Sequence, residues 1–129
     1  MHQDINKGIT GELTTLVTAE NTAEAYKSGI IAVFATPAMI GLMENAAQLS
    51  IQPHLADGYT SVGTEVNIKH IKATPVGMQV TAKSELLEVQ GNKLKFAVEA
   101  HDETGQIGFG THTRYIIHTA TFLQKLQNK

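Results

Sequence analysis

The stretch Thr36-Pro37-Ala38-Met39-Ile40-Gly41-Leu42-Met43-Glu44-Asn45-Ala46-Ala47-Gln48-Leu49-Ser50-Ile51 carries the one long helical signal in this chain. Thr36 suits an N-cap, and Pro37 suits the first helical position, where an amide would have no intrahelical partner. Met39, Ile40, Met43, Ala46, Ala47 and Ile51 then recur at three- and four-residue steps, which is the pattern of a helix with one apolar face. Pro53 and Gly58 end it, so a helix of about four turns is expected.

The flanking sequence has a different period. Upstream, residues 9–18 are rich in Thr, Leu and Val and read as a strand, and residues 21–27 read as a short helical turn closed by Ser28-Gly29. Residues 30–34 are apolar and too short to choose between a strand and a buried connector. Downstream, everything alternates with period two. Val62, Thr64, Val66, Ile68 and His70 are expected on one face of a strand, and Ser61, Gly63, Glu65, Asn67 and Lys69 on the other. A turn at residues 73–77 leads to a strand at 78–89, and Gln90-Gly91-Asn92 makes a tight hairpin. A strand follows at 93–101 with Leu94, Phe96, Val98 and Ala100 on one face, then a turn at 102–105, a last strand at 107–118 and a polar, helix-compatible tail at 122–129. One strand, one long helix and four further strands make an α+β domain over residues 1–129, with a single helix wrapped by a curved antiparallel sheet: the outline of a hotdog fold. One helix covers only part of a five-stranded face, so a homodimer is expected to complete the burial.

Composition narrows the function. Of 129 residues, 42% are hydrophobic and 17% charged, enough apolar content for one core. Lys+Arg 10 against Asp+Glu 12 gives a net charge of -2, which argues against nucleic acid or a membrane surface as the main partner. There is no cysteine, which excludes disulfides, thiolate metal sites and a Cys nucleophile. The N-terminal residues have no apolar h-region and no apolar run approaches membrane-spanning length, so a cytoplasmic location is expected. No H-E-x-x-H, phosphate loop or G-x-S-x-G is present; neither a metal nor another cofactor is expected.

Three residues have the right chemistry in suggestive places. Thr36 lies at the helix start, where unpaired amides and the positive end of the dipole suit a carbonyl oxygen or an oxyanion; alternatively it only caps the helix. Glu44, eight residues later, faces roughly the same side, close to apolar neighbours where a carboxylate is costly unless paired or functional; alternatively it is solvated on the polar edge. His70 ends a strand in phase with Val66 and Ile68 and is suited to proton transfer; alternatively it bonds a backbone carbonyl. Arg114 offers a fork for a phosphate or carboxylate, and Lys69 and Lys72 flank His70, though as solvated charges they need no function. His112 and His118 share the strand face of Arg114, but their spacing is no metal signature, and they rank below His70.

Together, three runs resemble the hotdog thioesterases related to fluoroacetyl-CoA thioesterase. These are Val33-Phe34-Ala35-Thr36-Pro37-Ala38-Met39-Ile40-Gly41-Leu42-Met43-Glu44; Ser61-Val62-Gly63-Thr64 with His70 and Ala73-Thr74-Pro75-Val76-Gly77; and Ala100-His101-Asp102 through Ile107-Gly108 to Gly110-Thr111-His112 and Arg114. The resemblance implies an acyl-CoA thioesterase with Thr36, Glu44 and His70 as catalytic residues. It also implies that the Gly63 amide helps hold the thioester carbonyl, that Arg114 lies near the site, and that the site sits at a dimer interface. The segment Tyr26-Lys27-Ser28-Gly29-Ile30-Ile31 lacks the phenylalanines of the fluoroacetyl-specific enzyme's lid. The expected substrate is therefore a general short- to medium-chain acyl-CoA, cleaved to free acid and CoA. The alternative is a non-catalytic acyl-CoA binding module, which would bind without turnover.

Overall fold

The structure, a computed structural model, describes residues 5–129; the N-terminal expectations that rest on Met1, His2, Gln3 and Asp4 lie outside the described residues. Strands β1 (Thr10–Leu16), β2 (Tyr59–His70), β3 (Gln79–Gln90), β4 (Lys93–Asp102) and β5 (Gly105–His118) form one antiparallel sheet in the order β1-β3-β4-β5-β2. Helices α1 (Ala23–Tyr26) and α2 (Thr36–Ile51) separate β1 from β2, and α3 (Thr119–Leu126) closes the chain.

Alternation builds the sheet's inner face. Leu94, Phe96, Val98 and Ala100 of β4 are all buried, as are Val80, Ala82 and Leu86 of β3. The apolar stripe of α2 (Met39, Met43, Ala46, Ala47 and Ile51) lies against them in a single core with Phe34, Ile107 and Ile116. A core with this packing loses about 2–5 kcal/mol when a residue such as Met43 is cut to alanine. The β3–β4 hairpin turns through Gly91, whose φ of 59° is the left-handed conformation that glycine adopts without strain.

Three expectations need correction. The N-cap of α2 is Ala35, so Thr36 is already helical and makes no capping bond; its hydroxyl is used elsewhere, as described below. Residues 30–34 are not a buried unit: Ile30 is 86% exposed and Ile31 62%, and only Phe34, bridged to Thr22, enters the core. The facial assignment along β2 also fails at one point. Gly63 pairs with Arg114 and Glu65 with Thr113, which leaves Thr64 as an extra residue, a β-bulge. Ser61, Gly63, Val66, Ile68 and His70 therefore oppose Ile116, Arg114, His112, Gly110 and Gly108, and all five share the inner face. A uniform period of two would have turned Ser61 and Gly63 outward.

Candidate active site

The two ends of β2 carry two chemical groups, both facing α2. At the C-terminal end, His70 meets the start of the helix: Thr36 Oγ1 stands 2.7 Å from His70 Nδ1. The first-turn amides of Thr36 and Ala38 have no intrahelical acceptor, and Pro37 has no amide to satisfy, so positive potential gathers beside this pair. Burial holds the His70 imidazole below its ordinary value of 6.5, with the Lys72 backbone opposing. That opposing influence does not amount to a hydrogen bond to Nε2, which is buried without a partner. A neutral imidazole with one nitrogen on a hydroxyl and the other free is arranged to relay a proton. Beside it opens a cavity of about 340 Å³, lined by Thr36, His70, Ser28, Ile71, Lys72 and Ala73 among others.

The N-terminal half of β2 carries the second group. Glu44, half-buried two turns along α2, points its Oε2 at Gly63: a Cβ built on that glycine would lie 3.0 Å from Glu44 Oε2, 3.0 Å from His112 Cε1 and 3.3 Å from Arg114 Nη1. Only a glycine leaves room for the three to converge. Arg114, 7% exposed, donates from Nε to Ser61 Oγ at 2.7 Å and from Nη2 to the Ser61 carbonyl at 2.8 Å. Its remaining terminal nitrogen, Nη1, donates to His112 Nε2 at 3.1 Å. Burial lowers its pKa below the ordinary guanidinium range, and the nearby Glu44 charge opposes the shift. The Glu44 side chain forms no hydrogen bond or ion pair with another described residue, so the guanidinium acts on it through space.

The structure thus brings Thr36 to His70, and Glu44 to Gly63 and Arg114, but within one protomer the two groups do not touch. Gly63 and His70 oppose Arg114 and Gly108, which lie six positions apart on β5, a span of about 20 Å at 3.3 Å per residue. Lys69 and Lys72 are exposed. His112, ranked low on its spacing, is 1% exposed and stacks on Phe96. Its alternation with Arg114 already puts it on the same face; only the fold reveals that this face looks onto the helix.

A long helix laid into a curved five-stranded antiparallel sheet defines a protein of the hotdog class. The family described as fluoroacetyl-CoA-specific thioesterase (FlK) matches residues 17–120, and this chain belongs to that family. The fluoroacetyl-CoA thioesterase of Streptantibioticus cattleyicolor is 44% identical over 97 residues, covering 75% of this chain and 70% of that protein. A solved structure of the fluoroacetyl-CoA thioesterase FlK superposes with a TM-score of 0.92 at 35% identity, covering 98% of each chain. A thioesterase superfamily member from Thermus thermophilus reaches 0.89 at 29% identity, covering 96% of this chain and 92% of the other. Of the two classes weighed from the sequence, the hydrolase stands: the chain is a thioesterase. No helix among the described residues is long and apolar enough to cross a membrane.

Proposed function

We propose that this thioesterase hydrolyses short- to medium-chain acyl-CoA thioesters to the free acid and CoA, in a homodimer whose two subunits complete each site. The observation that carries this reading is the Thr36–His70 pair, with an unpartnered Nε2, at the mouth of a cavity. Thr36, at the positive end of α2, orients or polarises the thioester carbonyl. His70 moves the proton between water and the leaving thiolate. Glu44 is the carboxylate that activates water or attacks the carbonyl itself. A relative with fluoroacetate and CoA bound, a point mutant of FlK, aligns over 92% of this chain, in keeping with a CoA thioester as substrate. The loop carrying Ile30 and Ile31 is aliphatic and exposed, which favours a broader acyl range than fluoroacetyl alone.

The free edge of β2 supports the dimer. This strand has 12 residues and, among the described residues, is paired only to β5, and Gly63 through Asn67 are exposed, Val66 by 43%. An open edge of that length seeks a partner. Antiparallel pairing of two β2 strands about Val66 or Asn67 lays the His70 end of one beside the Ser61–Gly63 stretch of the other. Each Thr36–His70 pair then meets the other subunit's Glu44, which accounts for their separation within one chain.

The test is thiol release from acyl-CoAs of graded length, with fluoroacetyl-CoA and acetyl-CoA in the same series. Turnover by the wild type that disappears in a Glu44→Ala, His70→Ala double variant supports hydrolysis at this site. Release equal in the two proteins refutes it.

A further inference from the structure

His112 is the most deeply buried ionisable side chain beside Glu44, and its bonding leaves it one state. Its Nδ1 lies 2.9 Å from the carbonyl oxygen of Glu65. A carbonyl only accepts, so Nδ1 carries the proton. Its Nε2 lies 3.1 Å from Arg114 Nη1, and a guanidinium only donates, so Nε2 offers its lone pair. Both constraints are met by the neutral Nδ1–H imidazole alone. A protonated ring would turn an N–H toward an N–H and set two positive charges side by side. Burial first, and the Arg114 charge as well, lower the His112 pKa from 6.5, against the Glu65 backbone and Glu44. Stacking on Phe96 at a centroid distance of 6.2 Å fixes the ring plane.

We propose that His112 is a positioning residue for the reaction: as a tautomer-locked acceptor it aims the Arg114 guanidinium, and through it sets the charge felt by Glu44. The proposal rests on Glu44 being the reactive carboxylate. The Glu65 carbonyl that fixes the tautomer stands two residues beyond Gly63, immediately after the bulge at Thr64. The same irregularity that turns Gly63 inward therefore also brings the carbonyl onto His112. Ser61 holds two edges of the guanidinium and His112 the third. Without the third, Arg114 is free to swing toward Glu44 and pair with it directly, which would quench the carboxylate as base or nucleophile.

Two substitutions separate positioning from mere packing. His112→Gln places an amide oxygen near the former Nε2 and keeps an acceptor for Arg114. His112→Asn keeps a donor toward Glu65 but loses that acceptor. The expected result is a kcat about 10- to 100-fold lower in His112→Asn, the range for losing a hydrogen bond to a charged group, with KM for the acyl-CoA little changed. His112→Gln keeps most of kcat. Equal loss in both variants, or loss in KM alone, overturns the proposal. Nitrogen-15 spectra of the histidine rings give a readout independent of turnover: a neutral Nδ1–H pattern for His112 at pH 7 is expected, and an Nε2–H or cationic pattern refutes the lock. A wild type that cleaves no acyl-CoA would instead refute the substrate reading, with the ring spectra still deciding the tautomer.

Discussion

Thr36 Oγ1 and His70 Nδ1 stand 2.7 Å apart although 34 residues separate them, and this contact takes the hydroxyl away from the capping role its position invites. The helix start gives up a capping bond worth about 1 kcal/mol. In exchange, a hydroxyl is oriented by an imidazole at the positive end of a dipole. Replacing Thr36 by alanine is expected to lower kcat about 100-fold, while serine, which keeps the hydroxyl, restores most of it. Steady-state kinetics on both variants, with melting curves to show that they fold, check this.

Gly63 is the next test. A methyl group there would meet Glu44 Oε2, His112 Cε1 and Arg114 Nη1 within 3.3 Å. Gly63→Ala should cost about 1 kcal/mol in stability, because the Glu44 side chain can move aside, but that movement should lower kcat about tenfold. Kinetics that fall no further than thermal stability does would count against Glu44 as the reactive carboxylate.

Two depressed imidazoles give stability a pH dependence with a definite sign. His70 and His112 both titrate below 6.5 in the folded chain, whereas the unfolded chain takes up their protons near 6.5. As pH falls through that value, the unfolded state binds protons first. Stability fully present above it is then lost progressively down to the folded-state values. Melting temperatures measured between about pH 7.5 and pH 5.5 should fall with acidification, and less steeply in His112→Gln.

Val66, 43% exposed in the middle of the free β2 edge, probes assembly. A charge at this position should block edge pairing, so Val66→Asp is expected to elute as a monomer in light-scattering chromatography. It should also lose nearly all turnover, although Thr36 and His70 remain in contact within each chain. A fully active monomer would refute the shared site.

At Gly110, β5 leaves no room for a side chain against β2. A Cβ there would run into the Asn67 carbonyl oxygen, a backbone atom that cannot step aside. Gly110→Ala should therefore destabilise the protein by about 3 kcal/mol, read by denaturant unfolding.

Much of this is legible in the residues themselves. The spacing of Met39, Met43, Ala46 and Ala47 gives the helix its face, and the alternation of Leu94, Phe96, Val98 and Ala100 gives the sheet its inner side; both patterns hold because burial enforces them along whole elements. Thr36, Glu44 and His70 stand out by residue type and place. Other features depend on interactions that strand periodicity does not record. The helix starts one residue early, at Thr36, whose hydroxyl bonds to a histidine on a distant strand. Thr64 shifts the phase of β2, so Ser61 and Gly63 face inward against simple alternation. His112 lacks a metal spacing because its partners are a carbonyl and a guanidinium, which leave no mark on the spacing of histidines.

The single supernumerary residue at position 64 works like a frameshift in the strand: what lies before it and what lies after are read on opposite parities yet end up looking the same way. Such a strand cannot lose or gain a residue away from that position without inverting the chemistry on one side of the change. Removing Thr64 itself would join the two halves in one unbroken alternation, with the serine that grips the arginine and the histidine that meets the helix still on the inner face.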